Sequence, residues 1–351
     1  MTEQTASGIR YPFPDPPASG EATEVADGIL WLRFPLPMTL DHVNVYALDD
    51  GDGWTVVDTG MSSRRTRDIW ATVLDGPLAA MPVRRVVVTH HHPDHMGLAG
   101  WLQTKFGAEL LTTRTGWLFA RMLQLDEQAT PSQETLAFWR SAGMDAALLE
   151  KRAQERPFNF ADTVWPLPLG FTRLREGQTF RSAGRDWTLR MGNGHAPEHA
   201  TLWTEGIVIG GDQLLPSISP NLGVYATEPE ANPVADWLES CRRLSAFATE
   251  GQLVLPGHKL PYRGLPLRLK QLIDNHHGAL DRLLRFIETP RTATECFHPL
   301  FMRQIGDGEY GLALVEAMAH VLHLWHSGQA TRTLRDDGVW VWQAKGEANE
   351  R

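Results

Sequence analysis

Short alternating runs of apolar and polar positions open the chain and predict strands. Val25–Phe34, Val43–Leu48 and Trp54–Val57 are rich in β-branched and aromatic residues, and Asp50-Gly51-Asp52-Gly53 supplies a hairpin-type break between the last two. From Ser63 to Leu74 the spacing becomes helical. Val83–Val88 follows as a continuous apolar run, which reads as a buried strand. A helix over Gly97–Phe106 places Leu98, Trp101, Leu102 and Phe106 on one face, and a short strand is expected at Leu110-Leu111. Strand signals resume at Trp187–Met191, Ala200–Thr204, Ile207–Ile209 and Leu253–Leu255. Between the two sets of strands, residues 115–157 have helical periodicity, a start signal at Thr130-Pro131 and large apolar residues such as Trp117, Phe119, Met122, Leu136, Phe138 and Trp139. They read as an inserted helical pair, either a lid over a substrate pocket or a satellite packing element. Strands interleaved with helices define an α/β chain.

After Pro266 the texture shifts. Leu267–Ile287 is a long amphipathic helix, Thr292–Phe301 a shorter one and Tyr310–Trp325 a third, before a hairpin over Thr331–Trp342 that turns at Asp336-Asp337-Gly338. Three helices and a hairpin have a winged-helix-like layout. Yet the third helix has no Lys or Arg, and a helix meant for a nucleic-acid groove needs positive charge to neutralise phosphates. Packing or homodimerisation is the expected role. Three parts are thus expected: a Pro-rich extended arm at 1–22, a main domain at 23–264 carrying the insert, and a module at 265–351.

Composition narrows the class. Hydrophobic residues make up 42% of 351 residues, enough for a sizeable core. The formal net charge of −9 argues against nucleic acid as the main partner. No window is apolar enough to span a membrane, and Met1-Thr2-Glu3-Gln4 does not open a signal peptide, so a soluble cytoplasmic protein is expected. Cys241 and Cys296 fit no metal spacing and read as buried small hydrophobes.

The chemistry concentrates at Thr89-His90-His91-His92-Pro93-Asp94-His95, immediately after the Val83–Val88 strand. Four of the chain's 14 histidines fall within six positions there. Neutral imidazole and carboxylate are ligands for zinc and similar divalent ions. His90 and His92, two apart on an extended loop, can turn toward one centre with His91 pointing away; Asp94 and His95 can reach a second. His276, His277, His320, His323 and His326 cluster on the tail helices and read as packing or solvated residues.

This heptapeptide resembles the T-H-x-H-x-D-H signature of the metallo-β-lactamase superfamily. Val57-Asp58-Thr59-Gly60, Gly194-His195, Gly211-Asp212 and Pro256-Gly257-His258 resemble its other motifs, in the right order. The resemblance covers residues 25–260 and implies a four-layer αββα sandwich, here with a helical insert and a C-terminal winged-helix-like module. It further implies two divalent metal ions, Zn²⁺ first, with Fe or Mn also accommodated by the thiolate-free ligand set. His90, His92 and His195 would hold the first ion and Asp94, His95 and His258 the second, with Asp212 bridging. Asp94 would also serve catalysis by orienting a hydroxide. Asp58 and His199 would hydrogen-bond the metal-bearing loops. Where many members read G-H-T-x-G-H, this chain has Gly194-His195-Ala196-Pro197-Glu198-His199, so Glu198 either makes a local salt bridge or reshapes the substrate pocket. Tyr225, with Ser217, Ser219 and Asn221, follows Asp212 in a loop that is a candidate to reach the pocket. The activity implied is hydrolysis of a small carbonyl substrate, a thioester, ester or lactone. The alternatives are an endoribonuclease or phosphodiesterase of the small metallo-β-lactamase type, and a non-catalytic binding protein that keeps metals for stability.

Overall fold

The computed structural model describes residues 8–346. The first seven residues of the expected arm, including the terminus read as lacking a signal peptide, lie outside the described residues, as do the last five. Two compact units divide the chain. The first comprises residues up to Glu127, Asn159–Pro220 and Arg243–Leu269; the second comprises Gln128–Phe158, Asn221–Arg242 and Lys270 onward.

Two sheets build the first unit. One has seven strands in sequential order: β1 (Thr23–Ala26), β2 (Ile29–Pro35), β3 (His42–Asp49), β4 (Trp54–Val57), β5 (Val83–Val87), β6 (Glu109–Thr112) and β7 (Thr172–Arg173). Pairing is antiparallel from β1 to β4 and parallel from β4 to β7. The other sheet holds β8 (Thr179–Ser182), β9 (Arg185–Gly192), β10 (His199–Trp203), β11 (Ile207–Gly211) and β12 (Leu253–Pro256), ordered β12-β11-β10-β9-β8. Only β11 and β12 run parallel in it. The run expected as one strand over Val25–Phe34 is two strands, because Asp27-Gly28 turns the chain with Gly28 at φ +70°. Glycine takes that left-handed conformation without a Cβ clash.

Alternation explains the layering. On the seven-stranded sheet Trp31, Tyr46, Leu48, Val57 and Val87 face Trp187, Leu189, Leu202, Ile209 and Leu255 of the second sheet, forming one fully buried cluster. The opposite face, with Leu32, Phe34, Val43, Val45, Val56 and Val86, packs on Trp70 and Val73 of α1 (Arg64–Asp75), on Met96 of α2 (Pro93–Met96) and on Leu102 of α3 (Ala99–Phe106). The helix–sheet–sheet layers are three of the four in the expected sandwich. The expected helix over Gly97–Phe106 is α3, which starts two residues later because Gly97-Leu98 separates it from the short α2; a Cβ at Gly97 would lie 2.5 Å from the Gly60 carbonyl oxygen. The arm is not free at Arg10, which exchanges two backbone hydrogen bonds with Arg263 at 3.1 and 2.8 Å.

The segment expected as a helical pair forms three helices, α4 (Arg114–Leu125), α5 (Gln133–Ser141) and α6 (Ala146–Ala153). Side chains cap them all: Thr113, Ser132 and Asp145 accept from first-turn amides. The helix α7 (Pro233–Ser245) has no counterpart in the sequence reading. In the second unit, α8 (Leu265–Phe286, from Lys270) and α10 (Tyr310–His326) flank the short α9 (Phe297–Phe301), and the expected hairpin is β13 (Ala330–Leu334) with β14 (Trp340–Ala344).

Histidines pack between α8 and α10. His276 and His320 stack with ring centroids 5.7 Å apart, and Trp237 meets His276 edge-on. Burial, then neighbouring His320, His277 and His323, push His276 down to about 3. Burial also outweighs the Glu316 carbonyl that His320 contacts, and with His323 and Arg282 pushes His320 down to about 4. Both rings are neutral in the fold and protonate near pH 6.5 when unfolded. Their contribution is complete above pH 6.5 and falls as pH drops toward 4, by roughly 1 kcal/mol per pH unit for each ring. The thermal midpoint should therefore decline between pH 6.5 and 4.5, and His276→Gln/His320→Gln should flatten that slope. An unchanged slope in the double variant would refute the assignment.

Candidate metal centre

Parallel pairing brings the ligand-bearing segments to one end of the two sheets. β4 and β5 run parallel with Val57 beside Val87, so Asp58 and Thr89 emerge together. β11 and β12 likewise deliver Asp212 and His258 to one place. His195 comes from the turn after β9, between Gly192 and His199.

Asp58 organises the first loop. Its carboxylate accepts from the Thr89 amide at 2.8 Å, the Thr89 hydroxyl at 2.9 and 3.0 Å, and His95 Nδ1 at 2.8 Å. Thr89 Oγ1, committed to Asp58 as a donor, accepts from His90 Nδ1 at 3.0 Å. This chain fixes both tautomers, so His90 Nε2 and His95 Nε2 turn lone pairs inward. Asp58 itself sits at φ +63°, a left-handed conformation costly for most side chains but accessible to Asp.

Two donor groups result. His90 Nε2 lies 3.0 Å from His92 Nδ1, which lies 3.0 Å from His195 Nε2. Nitrogens in such a triangle cannot all be satisfied by one another's protons, whereas one cation satisfies all three. In the second group Asp94 Oδ2 is 3.5 Å from His95 Nε2 and 3.3 Å from His258 Nε2. His258 Nδ1 donates to the His42 carbonyl at 2.6 Å, which points its Nε2 at the centre. Asp212 stands between the groups, with oxygens 3.4 Å from His95 Nε2, 3.4 Å from His195 Nε2 and 3.2 Å from His258 Nε2. His95 Nε2 and Asp212 Oδ1 are buried and make no hydrogen bond. Buried polar atoms without partners are rare, and divalent ions are their natural partners here.

Protonation fits cation binding. Burial, reinforced by neighbouring histidines, holds His90 and His92 well below the usual histidine range, so both are neutral. Burial would keep Asp212 protonated, but His258 and His95 outweigh it and hold the carboxyl well below its usual range. Burial opposes charge on His258 as well, yet Asp212 and Asp94 raise it to about 10. A cation between the groups takes the place of those protons. His90, His95, Asp212 and His258 are buried, while His92, Asp94 and His195 are partly exposed and form the open edge.

The remaining expected residues divide. His199 Nε2 accepts from the Asp212 amide at 3.1 Å, and its ring stacks on His90 at 4.5 Å. Glu198 turns its carboxylate to the Thr115 amide at 2.7 Å, in the first turn of α4, and to Arg173 at 3.5 Å. It anchors α4 instead of offering its charge to a pocket. His91 lies outside both donor groups and packs near Phe119 of α4 at 5.3 Å. Tyr225 belongs to the second unit and is half-exposed. The sequence reading missed His42, Asn44 and Tyr46 on β3. Asn44 Nδ2 donates to the Pro256 and Lys259 carbonyls at 2.9 and 2.8 Å, and Tyr46 Oη donates to Pro256 at 2.8 Å. A polar Asn inside the apolar run Val43-Asn44-Val45 was the available signal. Gly257 leaves the room this packing needs: a Cβ there would lie 2.2 Å from Asp212 Oδ1 and 2.8 Å from His95 Cε1.

Helix, two sheets and a carboxylate-bridged pair of histidine groups at their shared end define a metallo-β-lactamase-type metal site. The chain belongs to the metallo-β-lactamase superfamily, whose family model matches residues 38–283; a metallo-β-lactamase-like C-terminal domain model matches 280–345. The probable metallo-hydrolase YqjP of Bacillus subtilis is 27% identical over 307 residues, covering 84% of this chain and 91% of that protein. The crystal structure of a β-lactamase domain protein from Burkholderia ambifaria is 38% identical, with a TM-score of 0.88, covering 96% of this chain and 98% of that one. A metallo-β-lactamase family protein from Thermus thermophilus is 26% identical, with a TM-score of 0.76, covering 92% of this chain and 100% of the other.

Proposed function

We propose that the chain is a metal-dependent hydrolase that binds two divalent ions, Zn²⁺ first among them, and cleaves a small carbonyl substrate such as a thioester, ester or lactone. The observation that carries this reading is Asp212, shared between two histidine groups whose open edge is lined by His92, Asp94 and His195. His90, His92 and His195 would hold one ion, Asp94, His95 and His258 the other, and Asp212 both. When bound, the ions supply Lewis acidity and a water of lowered pKa, available as a nucleophile near neutrality. Asp94, the most exposed of the carboxylates in the centre, would orient that water and hold its proton. The naming of a Bacillus relative as a metallo-hydrolase supports the same reaction class.

The choice of a carbonyl substrate over a polynucleotide rests on surface chemistry. The net charge is −9, and α4, whose Phe119 packs near His91, exposes Leu118, Met122 and Leu125 along one side. An apolar wall suits an acyl chain; a phosphodiester strand needs cations. Purified protein is expected to contain close to two equivalents of metal and to turn over at least one member of a panel of acyl thioesters, esters and lactones. Chelation should abolish that turnover and Zn²⁺ should restore it. Turnover confined to single-stranded RNA or other phosphodiesters would replace this reading with the nuclease one. A fully metallated protein inert to the whole panel would leave only metal-stabilised binding.

A further inference from the structure

A cavity of about 350 Å³ adjoins the metal centre, lined by Tyr11, Arg33, Asp41, His42, Ser217, Lys259 and Leu260. Its link to the centre is covalent and close. Lys259 follows His258 directly, the His42 carbonyl holds His258 Nδ1, and the His42 and His258 rings lie 6.1 Å apart.

The walls are fixed by independent devices. Lys259 adopts φ +68°, a conformation that strains a side chain other than Gly, Asn or Asp. That turn aims its amide at His42 Nε2, 2.8 Å away. Buried Arg268 clamps the Leu215 and Ile218 carbonyls at 2.6 and 2.8 Å, which sets Ser217 between them. The Arg10–Arg263 bridge places Tyr11.

The charge balance is positive. His42 Nε2 accepts from the Lys259 amide, and its Nδ1 lies 2.7 Å from the Arg33 guanidinium and 2.6 Å from Asp41 Oδ1. Arg33 lies 3.7 Å from the same Asp41 oxygen, so those two charges offset each other. Asp41 is largely exposed at the rim. With Lys259 the lining carries two cations, Arg33 and Lys259, against one carboxylate, Asp41, on which both act, so one positive charge is in excess in a lining that includes Ser217 and Tyr11. A lysine held in a strained backbone turn directly after His258, in a lining with excess positive charge, suits an anionic ligand.

We propose that this cavity is an anion-binding subsite that holds a carboxylate or phosphate carried by the substrate while the acyl carbonyl lies at the metal centre. The proposal rests on the hydrolase reading and narrows the substrate to an anionic acyl compound, with Lys259 as a specificity-determining residue.

The test uses the full-length metal-loaded protein and three matched sets of acyl thioesters, ending in a carboxylate, a phosphate or a neutral methylamide. The wild type should prefer one anionic set, and that set identifies the group. Lys259→Met should lower the anionic-over-neutral ratio of kcat/KM by about tenfold to a hundredfold, mainly through KM, as loss of one charge-assisted hydrogen bond predicts. Lys259→Arg should restore most of it. Calorimetry with glutarate and methyl phosphate gives a second readout, and the favoured anion should bind the Met variant more weakly by a similar factor. Active enzyme with no anionic preference, or with a preference unchanged in Lys259→Met, overturns the subsite alone. If no acyl compound is turned over, the hydrolase reading fails instead. Equal anion binding by the wild type and Lys259→Met then overturns the subsite too, whereas weaker binding by the variant upholds it.

Discussion

Asp212→Ala is expected to fold and yet lose at least about a thousandfold in kcat/KM, with fewer than two metal equivalents retained. Asp212 lies 3.2–3.4 Å from three of the five ring nitrogens of the two donor groups, those of His95, His195 and His258. Removing it deletes the carboxylate that, among the described residues, is common to both groups, and leaves His258 with Asp94 and His95 with Asp94 and Asp58 for charge balance. Shared-metal stabilisation of developing negative charge is worth several kcal/mol, and each 1.4 kcal/mol is about a factor of ten in rate. Asp212→Glu tests geometry separately, because the longer side chain must fit against Gly257, where there is no room. Elemental analysis and a turnover assay on the same preparation provide the check. An Asp212→Ala protein that keeps two ions and activity within tenfold of wild type would show that the groups do not share this carboxylate.

Asp58→Ala is expected to be the most destabilising single change near the site, by about 3–6 kcal/mol. Asp58, Thr89 and His95 are all buried, so the substitution orphans the Thr89 amide, the Thr89 hydroxyl and His95 Nδ1 together. Each unsatisfied buried donor costs about 1–3 kcal/mol. Alanine at φ +63° adds strain. Metal affinity should fall by about ten- to a hundredfold as well, since residues that orient ligands carry effects of that size. Asp58→Asn separates the two effects: Asn tolerates the left-handed backbone and keeps an acceptor for Thr89, while presenting an amide to His95. It should recover most of the stability and less of the affinity. Denaturant unfolding and a zinc titration measure the two quantities. Equal stability in Asp58→Ala and wild type would remove the hydrogen-bond chain from the account.

Much of this centre was legible in the sequence because its donors are side chains in short, ordered motifs. His90, His92, Asp94 and His95 share one loop, and His195, Asp212 and His258 each follow an apolar strand. What stayed hidden works through the backbone or through long-range packing. His42 holds His258 with a carbonyl oxygen, which every residue has, so no residue type announces it. The role of Glu198 depended on where Thr115 and Arg173 would lie in space. The break between β1 and β2 turned on a single glycine, and α7 is an amphipathic segment the strand-focused reading passed over. Which segments make up each compact unit follows from contacts between residues far apart in sequence, and local periodicity is silent on that.

The donors come from both sheets: four follow β5 of the seven-stranded sheet, and three come from loops of the five-stranded one. His90 and His258 lie nearly half the chain apart. A cation held by both in the folded chain, and by no assembled site in the unfolded one, would favour the folded state, and more so as its free concentration rises. The protein's lifetime in a cell would then depend on metal supply. A starved cell would lose the polypeptide itself to proteases, as well as its activity, and the amount of protein present would record the metal available while it folded.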